Sequence, residues 1–289
     1  MSEGLNFCII SDFFVEDGVL GGAALNDEEI YKSLSKAHKV LKIKSSTLTL
    51  EEIKNLQSKK YKLIISNFFH LDELVKEYIR ENCHYVLYVH DYKFVSHTNP
   101  AIYDDFLVPK EELINVDFHL NAAKIICQSS FQKDIYDKNL NSSEITYNFS
   151  GNLWDDESFE IMKKMITAPK NNKVAVVKSP YPQKGVPEAI KMCISKNFDY
   201  DLIYDDSFHS FLNKLGSFSA LAFIPFTPET LSRVVLESKM MNVEVYTTNL
   251  VGATYEPWWN LRNEELINLM INKREEISKI IVEAFEDEK

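Results

Sequence analysis

Two glutamates, Glu229 and Glu237, are separated by seven residues in the stretch FIPFTPETLSRVVLESKM (residues 223–240), with Arg233 midway between them. An ionised carboxylate can accept from two hydroxyls at once and a guanidinium can meet a phosphate, so the trio is a candidate binding site. The spacing also fits a plain helix. Residues four apart are neighbours on a helix, and two exposed ion pairs would each stabilise it by about 0.3 kcal/mol. Thr227 would then cap the helix, with Pro228 at its first position and Glu229 in its first turn. His90 ends an apolar strand beside Asp91, where a ligand or a satisfied strand-end histidine fits equally. Lys184, in QKG, is a candidate cation or an exposed turn lysine. There is no CxxC pair and no HExxH, so no metal site is expected; of the paired aspartates at 104, 155 and 205, only Asp205 and Asp206 directly follow a strand.

The elements that must position these groups follow from the apolar pattern. LNFCII, YKLIIS, HYVLYVH and AKIICQ, starting at residues 5, 61, 84 and 123, are short apolar runs separated by helical patterns such as LDELVKEYIREN. After EITYNFSGNLWDDESF the alternation restarts with NKVAVVKS, YDLIYDD, ALAFIPF and VEVYTT. Two successive sets of βα units predict an α/β protein with two parallel sheets, joined near residues 147–158, with ligands bound at strand C-terminal ends. The expected domains are 1–150 and 151–265, and a last helix, 266–289, is expected to dock across them.

Only eight glycines occur in 289 residues, and Gly18, Gly21, Gly22, Gly151, Gly185 and Gly252 fall in strand-end loops or at the junction. Such placement suits tight turns or close approach to a ligand, although glycines also collect in ordinary turns. GxGxxG is absent, which disfavours a dinucleotide cofactor. A net charge of −11 argues against a broad nucleic-acid interface. Residues 31–62 run the other way, with nine Lys against two Glu. That run reads as a solvated face, with peripheral contact to an anionic membrane surface as the alternative. The four cysteines are widely spaced and read as buried free thiols in a reducing compartment, so the cytoplasm is the expected location. No apolar stretch approaches the length of a membrane span.

The stretch FIPFTPETLSRVVLESKMMNVEVYTTNLVGATYE resembles the nucleotide-sugar-binding segment of retaining glycosyltransferases of the GT-B fold, family 4-like, in which Glu, seven residues and a second Glu recur. Glu229, Arg233, Val234, Val235 and Glu237 fit that pattern. GGA at 21–23, VHDY at 89–92, AAKIICQSSFQKDIY at 122–136, YNFSG near the junction and KSPYPQKG at 178–185 follow in the family's order. Ser232 stands where the family has Gly, Asn242 and Glu244 replace its Gly and Pro, Lys178 or Ser179 stands where Arg is usual, and Ala24 follows GGA where a polar residue is frequent.

The resemblance implies two Rossmann-like domains facing across a cleft, with a nucleotide-diphosphate sugar on the C-terminal side and an unknown acceptor on the N-terminal side. Metal-free glycosyl transfer needs cations and helix N-termini to stabilise the departing diphosphate. Lys184, Lys178 and Arg233 are the implied cations. Glu237 is expected in a solvated cleft on the ribose hydroxyls, Glu229 facing the transferred sugar or the leaving phosphate, and His90 near the sugar's reacting end. Gly21, Gly22 and Ser232 complete the expected donor contacts, with no cofactor beyond the donor. A non-catalytic sugar-nucleotide-binding relative, or a sugar-nucleotide epimerase of the same fold, are the alternatives.

Overall fold

The computed structural model describes residues 5–19, 21–205 and 207–286; Asp206, one of the paired aspartates singled out above, lies outside them. The chain divides into two units: Met1–Gln128, Lys133–Phe149 and Lys273–Lys289 form the first, and Ser129–Gln132 with Ser150–Asn272 form the second.

In the first unit the strands are β1 (Asn6–Ser11), β2 (Lys39–Lys44), β3 (Lys62–Ile65), β4 (Tyr85–Tyr88), β5 (Lys124–Cys127) and β6 (Thr146–Asn148). Its helices are α1 (Gly22–Ser35), α2 (Leu50–Ser58), α3 (Glu73–Asn82), α4 (Val116–Leu120) and α5 (Ser130–Leu140), the last beginning in the second unit. All six strands pair in parallel, in the order β2-β1-β3-β4-β5-β6. The continuous apolar runs of β1, β3, β4 and β5 are buried because helices cover both faces of a parallel sheet. Sequence reasoning passed over β2, KVLKIK, whose three lysines intersperse its apolar residues as on an edge strand.

The second unit carries α6 (Asp156–Ile166), β7 (Asn171–Val177), α7 (Val186–Ser195), β8 (Tyr200–Ile203), α8 (Phe208–Gly216), β9 (Phe218–Ala222), α9 (Arg233–Met240) and β10 (Glu244–Tyr246). A final helix, α10 (Asn263–Glu283), gives its first part to this unit and residues 273 onward to the first. The sheet has four strands, as the apolar runs predicted, in the order β10-β9-β7-β8 and parallel throughout. One face packs on α6, α8, α9 and Leu266, Ile267 and Met270 of α10; α7 covers the other. The strand order reverses at β7, with β8 on one side of it and β9, then β10, on the other. That reversal opens a crevice at their C-terminal ends, where α/β sheets bind ligands.

The expected helix start at Thr227 is corrected: α9 begins at Arg233. Residues up to Ser232 are held out of helical geometry by a parallel bridge between Glu229 and Val251, in which Glu229 N–H donates to Leu250 O and Gly252 N–H to Glu229 O. Gly185 sits at φ +64°, and a Cβ there would overlap the Ile224 carbonyl oxygen. Only glycine lets the loop after β7 pack so closely on the loop after β9.

Candidate functional site

Lys184 leaves a short turn after β7, and Glu229 leaves the loop after β9. Across the crevice of the second unit, Lys184 Nζ lies 2.7 Å from Glu229 Oε1. The lysine side chain is 38% exposed and the glutamate 14%, so the cation faces solvent while its partner is held from behind. Sequence reasoning named both residues without pairing them, because 45 residues separate them. Lys178, at the end of the same strand, is exposed; its backbone N–H donates to Ile203 O, and its ammonium has no partner among the described residues.

Ser232 immediately precedes α9 at φ +77°, ψ 94°. That conformation is costly for a residue with a Cβ, and it explains why glycine is usual here in the enzymes this segment resembles. Its hydroxyl is buried without a hydrogen-bond partner and does not cap the helix. The first-turn N–H groups of α9, which begin four residues beyond Glu229, therefore lack a side-chain cap. Asn242, at φ +60°, likewise occupies a left-handed position where glycine is usual, and asparagine tolerates it.

Glu237 does not face a solvated cleft, which corrects that expectation, and Arg233 is turned toward Glu237 rather than to solvent. Glu237 is 2% exposed. One of its carboxylate oxygens lies 3.4 Å from Arg233 Nε and accepts the Trp154 indole N–H at 2.9 Å. Arg233 donates to Leu153 O and lies over the rings of Trp154, at 4.5 Å, and Phe208, at 5.3 Å. Burial raises the Glu237 pKa above the ordinary glutamate value, opposed by Arg233 and the indole N–H. The pair exists as helical spacing predicts, but it braces the interior. Trp154 was not singled out, since nothing local to the sequence links it to α9.

In the first unit, His90 lies just beyond β4 with its side chain 7% exposed. Its Nε2 is 3.2 Å from Asp27 Oδ1, and Gln128 Nε2 is 2.8 Å from its Nδ1. Asp27, buried on α1, also accepts from Ser66 Oγ at 2.6 Å. With the carboxylate accepting and the carboxamide donating, the hydrogen-bond network assigns the ring proton to Nε2. Both ring nitrogens of His90 are thus engaged by neighbouring side chains. Gly21 and Gly22 are exposed and open α1, where Gly21 offers no side-chain cap. Buried Asp12 accepts from Ser45 Oγ and from the backbone N–H groups of Phe69 and His70, each at 3.0 Å. It thereby fixes a loop that displays the exposed rings of Phe13 and Phe69 at the C-terminal end of the sheet.

Among the described residues no group of three or more His, Cys, Asp or Glu could hold a metal ion. All four cysteines are free, and burial pushes the Cys8 thiol up to about 12. In the Lys-rich segment, Lys32 pairs with Glu28 and Glu29, Lys42 with Glu16 and Glu28, and Lys44 with Asp17. No helix among the described residues is long and apolar enough to cross a membrane.

Neither a protein-family model nor a curated protein matches the sequence. Solved structures do match the fold. HepE from Anabaena in complex with UDP is 12% identical, with 98% of this chain and 96% of that one covered and a TM-score of 0.53. HepE in complex with UDP-glucose is 13% identical, covering 97% and 92%, at 0.50. The apo form of WaaB, a lipopolysaccharide outer core galactosyltransferase, is 10% identical, covering 98% and 95%, at 0.54. At these identities the likeness establishes architecture: the fold is GT-B, an α/β fold with two Rossmann-like parallel-sheet units.

Proposed function

We propose that this chain is a retaining, metal-independent glycosyltransferase that moves a sugar from a nucleotide-diphosphate donor to an acceptor. The observation that carries the reading is the Lys184–Glu229 pair at the switch point of the second sheet, with Glu229 four residues ahead of the uncapped N-terminus of α9. UDP and UDP-glucose on the same fold in HepE support it.

When the bond between the anomeric carbon and the diphosphate breaks, the carbon becomes cation-like and the phosphate oxygens gain negative charge. Lys184 and the first-turn N–H groups of α9 meet that charge, with Lys178 adding a mobile cation at the rim. Glu229 holds the Lys184 ammonium and accepts from sugar hydroxyls with its second oxygen. Gly21 and Gly22 offer backbone N–H groups that no side chain covers, and His90 fixes the end of β4. Glu237 and Arg233 brace α9 from within. No cofactor beyond the donor is part of this reading, and the cytoplasm is its expected setting.

The second reading is a non-catalytic binder of sugar nucleotides. It is favoured by the commitment of Glu237 to Trp154, which leaves the ribose without the expected carboxylate. A thermal-shift panel of UDP, GDP, ADP and dTDP sugars finds the donor, because a ligand at a hundred times its Kd stabilises the fold by about 2.7 kcal/mol. Turnover then separates the readings. Release of nucleoside diphosphate with the sugar transferred at unchanged anomeric configuration supports the enzyme; binding without release supports the binder, and an altered sugar nucleotide indicates an epimerase. No shift with any donor rejects all three.

A further inference from the structure

The second unit has a further cavity, formed where β7, β8 and β9 begin and closed by Tyr246 from the last position of β10. It measures about 440 Å³ and is lined by Asn172, Val174, Asn197, Phe198, Asp199, Ser219, Ala220 and Tyr246. That volume falls within the roughly 300–1,000 Å³ of small-molecule sites.

Its origin is legible in the backbone. Helix α7 returns antiparallel to the strands, so its C-terminal end lies over their starts. There Asn197 takes φ +55°, and Phe198 N–H bonds back to Cys193 O at 2.9 Å while Asn197 N–H reaches Ile194 O at 3.1 Å. This closing motif ends the helix sharply and sets Phe198 and Asp199 at the cavity rim. Beneath them the strand starts present small side chains, Ser219 and Ala220, which do not fill the space. The register of β7 against β9 also shifts between Asn171 and Val174, the stretch that contains Asn172.

The lining has a definite chemistry. Val174 and Ala220 are buried and apolar, and the rings of Phe198 and Tyr246 lie 5.4 Å apart, tilted by 32°. Around them stand the carboxylate of Asp199, the carboxamides of Asn172 and Asn197 and the Tyr246 hydroxyl, none with a side-chain hydrogen-bond partner among the described residues. A phosphate or carboxylate would meet Asp199 as a like charge. A simple apolar ligand would leave these four polar side chains unused. A pyranose ring matches all of them: its C–H face lies on an aromatic ring, adjacent hydroxyls donate to both carboxylate oxygens, and carboxamides donate and accept at the remaining ones.

We propose that this cavity is a second, non-catalytic saccharide site, which holds a neutral sugar independently of the nucleotide crevice. The test is saturation-transfer NMR on the full chain with the methyl α- and β-glycopyranosides of glucose, galactose and mannose, and with putrescine as a cationic control. At least one glycoside should show transfer that falls five-fold or more in both Asp199→Asn and Asn172→Ala and is unchanged by added UDP. Both positions are exposed, so the variants should melt with the parent protein; Tyr246→Phe, which keeps the ring, should lose less signal than either. Transfer from no glycoside, transfer that persists in both variants, displacement by UDP, or a stronger response to putrescine would each overturn the proposal.

Discussion

Trp154 donates its indole N–H to Glu237 across 83 residues of chain, so the second glutamate of the opening motif is anchored by a side chain from the segment that leads into the second unit. A carboxylate held this way stiffens α9 against the body of that unit. Its ionisation becomes a matter of fold stability as well as ligand binding.

Glu237 therefore contributes a pH dependence of known sign. Its native pKa is raised, chiefly by burial, so the folded state holds the proton more tightly than the unfolded chain does. The associated stability is complete below the unfolded value and is lost as pH rises through the native one. Glu237→Gln removes this titration. In urea unfolding between pH 4 and 8, the stability of the variant relative to the parent should climb with pH; a flat or falling difference would show that the Arg233 interaction outweighs desolvation.

Ser232 occupies a conformation suited to glycine. Relief of backbone strain is worth about 1–3 kcal/mol, and glycine's extra unfolded-state entropy takes back about 0.5–1 kcal/mol. Ser232→Gly is expected to raise the urea midpoint by a net gain of about 1 kcal/mol. A loss of stability would mean that the buried hydroxyl contributes more than the strain costs.

Lys184→Ala is expected to reduce the turnover of donor by about 10²–10³-fold, the range for removing one preorganised stabiliser of a developing anion. Because the lysine is partly exposed, stability should change by no more than about 0.5 kcal/mol. Glu229→Gln should share the rate loss, and normal rates in both variants would remove the pair from the mechanism.

Activity should survive excess EDTA, since the charge stabilisation assigned here comes from Lys184 and backbone N–H groups. Loss in EDTA and restoration by manganese would redirect attention to Asp205 and its sequence neighbour Asp206.

Vesicles containing phosphatidylserine should fail to pellet the protein at physiological salt. Lys32, Lys42 and Lys44 spend their charge on neighbouring acids, whereas lipid attraction of about 1 kcal/mol per basic residue needs cations free to approach the surface. Co-sedimentation that vanishes in high salt would restore the membrane reading.

By itself the sequence determined the α/β class, the two sets of βα units and the turn that carries Lys184. Unbroken apolar runs such as LIIS and CII, separated by amphipathic helices, leave a covered parallel sheet as the economical solution, and ligand loops then fall at strand C-terminal ends. The departures from a familiar motif were also legible, and positive φ at Ser232 and Asn242 gives the backbone reason why glycine is usual there. Only the tertiary structure decided which charges meet. Spacing of three and four residues reports contacts along one helix, so it foresaw Arg233 beside Glu237, but it carries no information on whether that face meets water or core. Trp154 and the other packing partners of α9 come from distant segments, and their approach turned an expected ribose ligand into a buried brace. The same holds for His90, whose ring nitrogens are claimed by Asp27 and Gln128, 63 and 38 residues away. Burial and long-range partnership are properties of the packed chain, and they set the electrostatics on which each proposed role depends.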